Sequence, residues 1–247
     1  MMNNPIDQFR AERSERVKKN ADTKDLLAAA ESFNVESNKA QYSYNFSWMG
    51  RPIIQYPQDM IAMQEIIWNV QPDLIIETGI AHGGSLIYYA SILELIGKGE
   101  VLGIDIDIRE HNKEEIEKHP MFKRIKMIQG SSIEPAIVAE VQKHAVGKPT
   151  ILVVLDSNHT HAHVLAELEM YSPFVSLNSY IVVYDTIVEK LPENYLPGHV
   201  RPWGVGDNPL TAVREFIQKN PRFKIDEAVN NKLLISVAPD GYLKRIK

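Results

Sequence analysis

Acidic side chains follow four apolar runs of this sequence, at the points where buried strands are predicted to end. They are Glu77, Asp105, Asp156 and Asp185. In an open α/β sheet, ligands bind in the crevice outside the carboxyl ends of the parallel strands. We therefore expect these carboxylates to converge on one cleft, where they could hold a polar ligand and a cation.

A glycine-rich turn lies between the first of these strands and the helix that follows it. The strand begins at Leu74, the turn contains Gly79, Gly83 and Gly84, and Ser85 opens an apolar helical segment. Backbone N–H groups at such a turn can meet a nucleotide-like ligand. The spacing differs from the G-x-G-x-x-G pattern of a pyrophosphate site, and an acid two positions before the first glycine suits a ligand with a cationic amino-acid end.

Asp105 lies about 26 residues after Gly79, at the end of the second predicted strand. A carboxylate at this place can accept hydrogen bonds from both hydroxyls of a ribose. That contact is compatible with NAD and with S-adenosylmethionine (SAM), so it leaves both cofactors open.

Asp156 and Asp185 end the fourth and fifth predicted strands, which we expect to be neighbours. Two carboxylates without a thiolate suit a hard cation such as Mg²⁺, with Thr186 or Asn158 as a further oxygen ligand. His159 follows Asp156 by three residues, and an imidazole there could remove the proton of a bound hydroxyl. The alternative is that Asp156 caps the next helix and Asp185 is solvated.

Two further histidines, His161 and His163, follow in the same segment. Their spacing differs from that of a His-x3-His pair on a helix, so a zinc site is the less favoured interpretation. We expect both side chains to belong to the start of the next helix.

The elements that must position these residues alternate along the chain. Apolar runs predict five strands, at 74–76, 101–106, 125–129, 151–155 and 180–184. The segments between them predict helices, at 85–96, 110–119, 135–144 and 163–175. This alternation indicates a parallel, doubly wound α/β sheet. After it we expect a helix at 211–219 and two antiparallel strands, at 223–226 and 232–237.

Three segments lie outside the alternation. Residues 1 to about 30 are charged and helix-prone, and we interpret residues 1–40 as an N-terminal helical extension that packs on the domain or serves as an oligomer-forming arm. Residues 42–57 form a predicted loop with aromatic anchors. The proline- and glycine-rich loop at 186–210 is expected to close over the cleft, with Tyr195 and Trp203 as candidate substrate contacts.

The composition excludes several classes of function. The 247 residues carry a net charge of -5 and include no cysteine. The charge gives no electrostatic footprint for nucleic acid, and the lack of cysteine excludes disulfides and thiolate sites. No apolar run approaches the roughly 20 residues of a membrane span, and no signal peptide is evident. We therefore expect a soluble, cytoplasmic protein.

Several motifs together resemble one enzyme family. They are IETGIAHGGS (76–85), GIDID (103–107), GSS (130–132), LDSNHTHAHV (155–164), VVYDT (182–186), AVREF (212–216) and PDGYLKR (239–245). Over about residues 40–247 the chain resembles the cephalosporin hydroxylase / rhamnosyl O-methyltransferase family, whose members have the fold of class I SAM-dependent methyltransferases.

The resemblance implies a fold and a donor site. It implies a Rossmann-like sheet of seven strands in the order 3-2-1-4-5-7-6, with strand seven antiparallel, helices on both faces, and residues 41–247 as the methyltransferase domain. It places the methionine end of SAM at the glycine turn, the ribose at the second strand and the adenine edge near the third. The cofactor-binding residues implied are Glu77, Gly79, His82, Gly83, Ser85, Asp105, Ser131, Ser132 and Asp156.

The resemblance also implies a reaction. Asp156, Asp185 and Thr186 match metal positions for Mg²⁺ in this family or in catechol-type O-methyltransferases, and His159 matches the catalytic base. Some relatives have an acid where this chain has Tyr184. The expected activity is transfer of the SAM methyl group to a hydroxyl of a small molecule, a sugar-containing natural product or a glycolipid.

Two other functions remain open from the sequence. One is a non-catalytic SAM-binding or partner-binding subunit of a hydroxylase or methoxylation complex, and the less favoured one is a nicotinamide-dependent oxidoreductase. The loop residues do not choose among sugar, polyketide and phenol hydroxyls as the acceptor. The N-terminal extension makes a homo-oligomer the expected assembly.

Overall fold

The structure is a computed structural model that describes residues 4–193, 195 and 201–247. The residues that it leaves out include Pro197 and Gly198, so part of the loop predicted at 186–210 lies outside the described residues. Within the described residues there are nine strands. They are β1 (Phe46–Trp48), β2 (Arg51–Ile53), β3 (Leu74–Thr78), β4 (Glu100–Asp105), β5 (Ile125–Gln129), β6 (Ile151–Leu155), β7 (Tyr180–Val183), β8 (Phe223–Ile225) and β9 (Tyr242–Arg245).

Strands β3 to β9 form one sheet in the order β5-β4-β3-β6-β7-β9-β8. The first five strands of the sheet are parallel, and β9 is antiparallel to both β7 and β8. Counted along the chain within this sheet, the order is 3-2-1-4-5-7-6, which confirms the predicted fold. The chain therefore reverses its direction of winding between β3 and β6, which is where doubly wound folds form their ligand crevice.

Helices cover both faces of the sheet. They are α1 (Pro5–Asn20), α2 (Lys24–Lys39), α3 (Pro57–Val70), α4 (Gly84–Ile96), α5 (Glu110–Lys118), α6 (Pro135–Ala145), α7 (His161–Tyr171), α8 (Pro209–Lys219) and α9 (Glu227–Leu233). Residues of β3 and β6 are fully buried because successive side chains point to opposite faces and both faces are covered. Ile75 packs in the core beneath α3 and α4, and Ile76 packs beneath α7 and α8.

The predicted strand at 232–237 is wrong. Residues up to Leu233 belong to α9, and the antiparallel partner of β8 is β9 instead. Val229 and Leu233 are buried four residues apart, which is helical spacing. The side chain of Asp226 also accepts a hydrogen bond from the backbone N–H of Ala228, which caps the start of α9.

The segment predicted as a loop at 42–57 contains more regular structure than expected. A short 3-10 turn at Tyr42–Asn45 leads into the antiparallel hairpin of β1 and β2. The indole N–H of Trp48 donates to the hydroxyl of Ser91 on α4 at 3.0 Å. The hairpin is therefore attached to the helix that follows the glycine turn.

The N-terminal helices lie beside α9. The side-chain amide of Asn20 donates to the backbone carbonyl of Asn231 at 3.0 Å, and no residue of α1 is buried. Helix α2 continues to Lys39, about nine residues beyond the stretch that the sequence predicts to be helix-prone. The division at residue 40 into extension and domain stays a prediction. None of the helices in the described part of the chain has the length and apolar character needed to span a membrane.

Candidate active site

The four strand-end acids lie on four neighbouring strands of the sheet. Glu77 belongs to β3 and Asp105 ends β4, while Asp156 and Asp185 follow β6 and β7. Because β4, β3, β6 and β7 are adjacent and parallel, their carboxyl ends share one edge. The structure thus brings together the elements that the sequence predicted.

The glycine turn packs tightly against the strand that carries Asp156. Gly79 has a φ of +92°, and a Cβ atom there would lie 2.0 Å from the backbone oxygen of Asp156. Gly83 is the N-cap of α4 with a φ of +80°, and a Cβ there would lie 2.3 Å from the side chain of Ile116. Only glycine fits at these two positions, since both the conformation and the space exclude a side chain.

Asp105 binds backbone N–H groups at the beginning of the same turn. One carboxylate oxygen accepts hydrogen bonds from the backbone N–H of Ile80 at 2.8 Å and of Ala81 at 3.3 Å. The other oxygen accepts from the backbone N–H of Asp107 at 3.0 Å. A carboxylate has further acceptor capacity on each oxygen, so Asp105 can hold the turn and still accept from a ribose hydroxyl.

Glu77 lies directly behind Ser85. The Ser85 hydroxyl donates to one Glu77 oxygen at 2.7 Å, and the other oxygen has no hydrogen-bond partner among the described residues. Burial raises the pKa of Glu77 to about 8, against the opposing effects of the Ser85 and Tyr89 hydroxyls. A cation beside Ser85 would therefore stabilise the ionised form of a carboxyl group that is otherwise largely protonated at neutral pH.

Asp156, His159 and Asp185 form a compact group of three ligating side chains. One ligand atom from each lies within 4.8 Å of the others. The Nε2 atom of His159 is 3.1 Å from an oxygen of Asp185, and the His159 side chain is only 14% exposed. The three atoms are close enough to bind a single cation.

The electrostatics of this group favour a bound cation. Burial raises the pKa of Asp156 well above its ordinary value, and the nearby charges of Asp185 and Glu77 raise it further. Asp185 also has a φ of +54°, a left-handed conformation that is costly for residues with a side chain and is common at functional sites. Two close carboxylates repel each other unless a proton or a cation lies between them.

Thr186 follows Asp185 directly, and its predicted place among the metal ligands stays a prediction. Its side chain is fully buried, and its hydroxyl donates to the backbone carbonyl of Pro239 at 2.6 Å. Tyr184, which replaces the acid of some relatives, is buried as well. The third side chain close to the two aspartates is that of His159.

The contacts of Asp156, Asn158 and His161 distinguish between the roles that the sequence left open for them. Thr160 is the N-cap of α7, so Asp156 does not cap that helix. Asn158 accepts hydrogen bonds from the backbone and the hydroxyl of Thr160, which uses the amide oxygen considered as a metal ligand. His161 contacts Thr211 and Glu215 on α8 and belongs to the helix start, as expected.

The side chains near β5 form a second polar group. Glu167 is fully buried, and one of its oxygens accepts from the hydroxyls of Ser132 at 2.6 Å and Ser157 at 2.7 Å. His163 lies 3.1 Å from the Ser132 hydroxyl. The turn with Ser131 and Ser132 is thereby tied to α7.

Two cavities meet at the carboxyl ends of the strands. The smaller, of about 230 Å³, is lined by Ser85, Asp156, His159 and Asp185 among others. The larger, of about 500 Å³, is lined by Asp105, Ser131, Ser132, His163 and Trp203 among others. Both are lined by Gly79, Ala81, His82, Asp156 and Ser157, so the glycine turn separates a side with the ligating group from a side suited to a nucleoside.

Sequence reasoning missed Gln55. It is buried and lines the smaller cavity, and its side-chain amide lies 3.3 Å from an oxygen of Asp156. Glu167 was also missed, although its position four residues after His163 places both on one face of α7. Gln55 had no comparable signal, because it is about a hundred residues away from Asp156 in the chain.

Trp203 lies beside His159, and its predicted contact with the substrate stays a prediction. Its ring contacts His159 edge-on, with ring centroids 4.9 Å apart, and the guanidinium of Arg201 lies 5.5 Å from its centroid. Tyr195 and Arg201 line the smaller cavity together. These residues form the outer wall of the site.

Comparison with known proteins decides the family. The family model described as Rhamnosyl O-methyltransferase/CmcI matches residues 40–246. The chain belongs to this family. A rhamnosyl O-methyltransferase of Mycobacterium tuberculosis (strain H37Rv) is 32% identical over 207 residues, covering 81% of this chain and 78% of the relative. The Mycobacterium leprae protein of the same name is 29% identical over 202 residues, covering 81% and 82%.

Solved structures agree with the fold. A CmcI structure with Mg and SAM has a TM-score of 0.57 at 19% identity, covering 83% of this chain and 78% of CmcI. A putative O-methyltransferase from Klebsiella pneumoniae has a TM-score of 0.51 at 14% identity, covering 90% of each chain. Together with the family match, these relatives confirm the family, the fold and the enzyme class predicted from the sequence, a SAM-dependent O-methyltransferase.

Proposed function

We propose that this chain is a Mg²⁺-dependent O-methyltransferase that transfers the methyl group of SAM to a sugar hydroxyl. The observation that carries the proposal is the group of Asp156, His159 and Asp185 beside the glycine turn. A donor pocket alone would serve any SAM-binding protein, whereas a cation site next to it suits activation of an oxygen nucleophile.

The residues present fit a magnesium ion and the cationic donor. Asp156 and Asp185 are hard oxygen ligands whose mutual repulsion a cation relieves, and the buried oxygen of Glu77 without a partner among the described residues favours a positive charge nearby. Magnesium held by Asp156 and Asp185 supplies Lewis acidity that lowers the pKa of an acceptor hydroxyl.

His159 is the proposed base. Its imidazole is mostly buried and contacts Asp185, so the imidazolium that forms when His159 takes a proton lies beside a carboxylate. The ring of Trp203 packs against it edge-on and limits its orientation. Asp185 therefore orients His159.

The protein also excludes water from the reacting atoms. An alkoxide and a sulfonium neutralise each other during methyl transfer, so the reaction is favoured by a site of low polarity. Hairpin β1–β2 and the residues Tyr195 and Arg201 contribute walls to the smaller cavity. Their role is to shield and orient the acceptor.

A polyhydroxylated acceptor matches the polar lining on the outer side of the smaller cavity. Asn38, Gln41, Ser43 and Gln55 contribute amides and a hydroxyl there, and such groups bind hydroxyls by paired hydrogen bonds. The curated relatives in mycobacteria are named rhamnosyl O-methyltransferases. We therefore infer a rhamnosyl or similar deoxysugar hydroxyl as the acceptor.

The experiment is a methyl-transfer assay with labelled SAM and methyl α-L-rhamnopyranoside, with Mg²⁺ or EDTA. We expect transfer that EDTA abolishes and Mg²⁺ restores, and a loss of roughly 100-fold or more in Asp156→Asn. Asp226→Asn is the matched control, since Asp226 also follows a strand but lies at the far edge of the sheet. Transfer by the wild type that neither EDTA nor Asp156→Asn reduces would contradict the proposal.

A further inference from the structure

Arg51 reaches from the hairpin to the glycine turn. Its Nε and one terminal nitrogen donate to the backbone carbonyl of His82 at 2.9 Å and 2.6 Å. The same terminal nitrogen donates to the side-chain oxygen of Asn112 at 3.0 Å. All three hydrogen bonds go to uncharged oxygens, so within the described residues the guanidinium is used to hold a backbone segment.

Asn112 completes the contact from α5. It is almost fully buried, and its side-chain nitrogen donates to the backbone carbonyl of Ala81 at 2.9 Å. Arg51 and Asn112 therefore bind consecutive carbonyls of the turn and also bind each other. A buried amide whose donor and acceptor are both used has one fixed orientation.

The turn needs such support because its backbone is strained. Ala81 has a φ of +45° and Gly83 one of +80°, and for alanine the left-handed region costs about 1 kcal/mol or more. Asp105 holds the N–H groups of Ile80 and Ala81 from one side. The carbonyls of Ala81 and His82 are held from the other side.

We propose that Arg51 and Asn112 are positioning residues that preform the donor-binding turn. The carbonyls of Ala81 and His82 are used in these hydrogen bonds, and both residues line the two cavities beside the start of α4. The segment after Arg51 lines the acceptor side of the smaller cavity, through Pro52, Ile53 and Gln55. The hairpin thus connects the acceptor wall to the donor turn. This inference rests on the proposed function for the identity of the donor.

The test measures binding of S-adenosylhomocysteine (SAH) by calorimetry, without turnover. In Arg51→Met we expect the SAH Kd to rise roughly 10- to 100-fold, as for the loss of hydrogen bonds from a charged donor. Arg51→Lys keeps one charged donor and should recover part of the affinity. Asn112→Ala should act on the same turn, and the double variant should lose less than the sum of the two.

Arg124→Met is the matched control. Arg124 also donates to a backbone carbonyl, that of Gly99, and pairs with Glu94 at the far end of α4. This variant should lower the melting temperature and leave the SAH Kd unchanged. In the methyl-transfer assay, Arg51→Met should raise the KM for SAM and change kcat at saturating SAM by less than about 3-fold.

Each outcome has a distinct meaning. An SAH Kd that is the same in Arg51→Met and the wild type overturns the inference, and so does equal loss in Arg51→Met and Arg124→Met, which would indicate a general loss of stability. A wild type that binds no SAH contradicts the proposed function itself. Weaker SAH binding in Arg51→Met and Asn112→Ala but not in Arg124→Met, with partial recovery of affinity in Arg51→Lys, supports the positioning role of Arg51 and Asn112.

Discussion

Glu77 shows how burial changes the chemistry of a single carboxyl group in this protein. It lies within a central strand with no exposed surface, and its pKa is raised to about 8 because the ionised form is poorly solvated. It accepts a hydrogen bond from Ser85, which lines the smaller cavity and lies where the methionine end of SAM is predicted to bind. The protonation state of Glu77 therefore depends on whether a cation occupies that cavity.

Binding of SAM at pH 7 should release a proton from Glu77. The group is mostly protonated in the free protein below pH 8, and a nearby ammonium group lowers its pKa and favours ionisation. Calorimetry at pH 7 in buffers of different ionisation enthalpy measures the released proton, and at pH 9 the release should vanish. Glu77→Gln should remove the release at pH 7. A binding enthalpy independent of buffer in the wild type would contradict this role.

Gln55 should support Asp156 in binding the metal. Its amide donates to that carboxylate at 3.3 Å, and residues that orient metal ligands commonly contribute about 10- to 100-fold in affinity. We expect Gln55→Leu to weaken Mg²⁺ binding by roughly 10-fold in a calorimetric titration. Gln58→Leu is the control, because Gln58 also has a buried oxygen without a partner among the described residues but does not line the cavity. Equal effects of both variants would refute a role in metal binding.

The site residues differ in how far the sequence could predict them. Asp156 and Asp185 were found because acids directly after apolar strands must lie at one sheet edge. Thr186 lies three residues after the end of β7, and the direction of its side chain depends on where Pro239 packs, which the sequence does not show. Gln55 depends on the docking of the hairpin, which leaves no periodic signal in the sequence.

At the scale of elements, the hairpin of β1 and β2 is packed on the start of α4 at Gly84. A Cβ atom at Gly84 would lie 2.1 Å from the backbone oxygen of Pro52 and 2.8 Å from the Cα of Ile53. A side chain at Gly84 would therefore collide with the backbone of β2 and could fit only if the hairpin moved. The spacing between hairpin and helix is therefore set by a glycine.

Gly84→Ala should displace the hairpin and disturb both sides of the site. We expect a loss of about 1–3 kcal/mol in the free energy of unfolding and weaker binding of SAH, measured by chemical denaturation and calorimetry. Gly204→Ala is the control, since a Cβ there meets nothing within 4 Å. If the two variants are equally stable and bind SAH equally, the close packing of the hairpin is refuted.

The alternation of strands and helices could be predicted because each buried strand forms a continuous apolar run. The hairpin of β1 and β2 and the helix α9 could not be predicted in this way. Each hairpin strand has three residues, too few to show an alternating pattern. The run at Leu233–Val237 is apolar enough to be predicted as a strand. In the structure, Val229 and Leu233 are buried on one face of a helix, and the sequence gives no sign of this burial.

At the scale of the whole molecule, Asp59 joins the first half of the domain to its C-terminal segment. This fully buried residue of α3 accepts hydrogen bonds from the hydroxyls of Ser236 and Tyr242 and from the backbone N–H of Val237. Burial raises its pKa to about 6, despite the three donors. These hydrogen bonds connect β9, the last strand of the sheet, to α3, the helix that precedes β3.

Stability should fall as the pH rises through the pKa of Asp59. Its folded pKa lies above the ordinary value, so its contribution is fully present below about pH 4 and is lost as the pH rises past 6. The shift corresponds to about 3 kcal/mol. Asp59→Asn should lack this part of the pH dependence between pH 4 and 7 in urea denaturation, whereas Asp22→Asn, at an exposed site, should retain it. Parallel pH profiles of wild type and Asp59→Asn would contradict this linkage.

The central claim is that Asp156 and Asp185 hold a divalent cation beside His159 and the SAM-binding turn. Anomalous diffraction from crystals grown with Mn²⁺ and SAH tests it most directly, because Mn²⁺ replaces Mg²⁺ at oxygen-rich sites and is located by its own signal. We expect one strong peak bound by Asp156 and Asp185, with SAH lying along the glycine turn. A peak elsewhere, or SAH bound away from Gly79 and Asp105, would contradict the account.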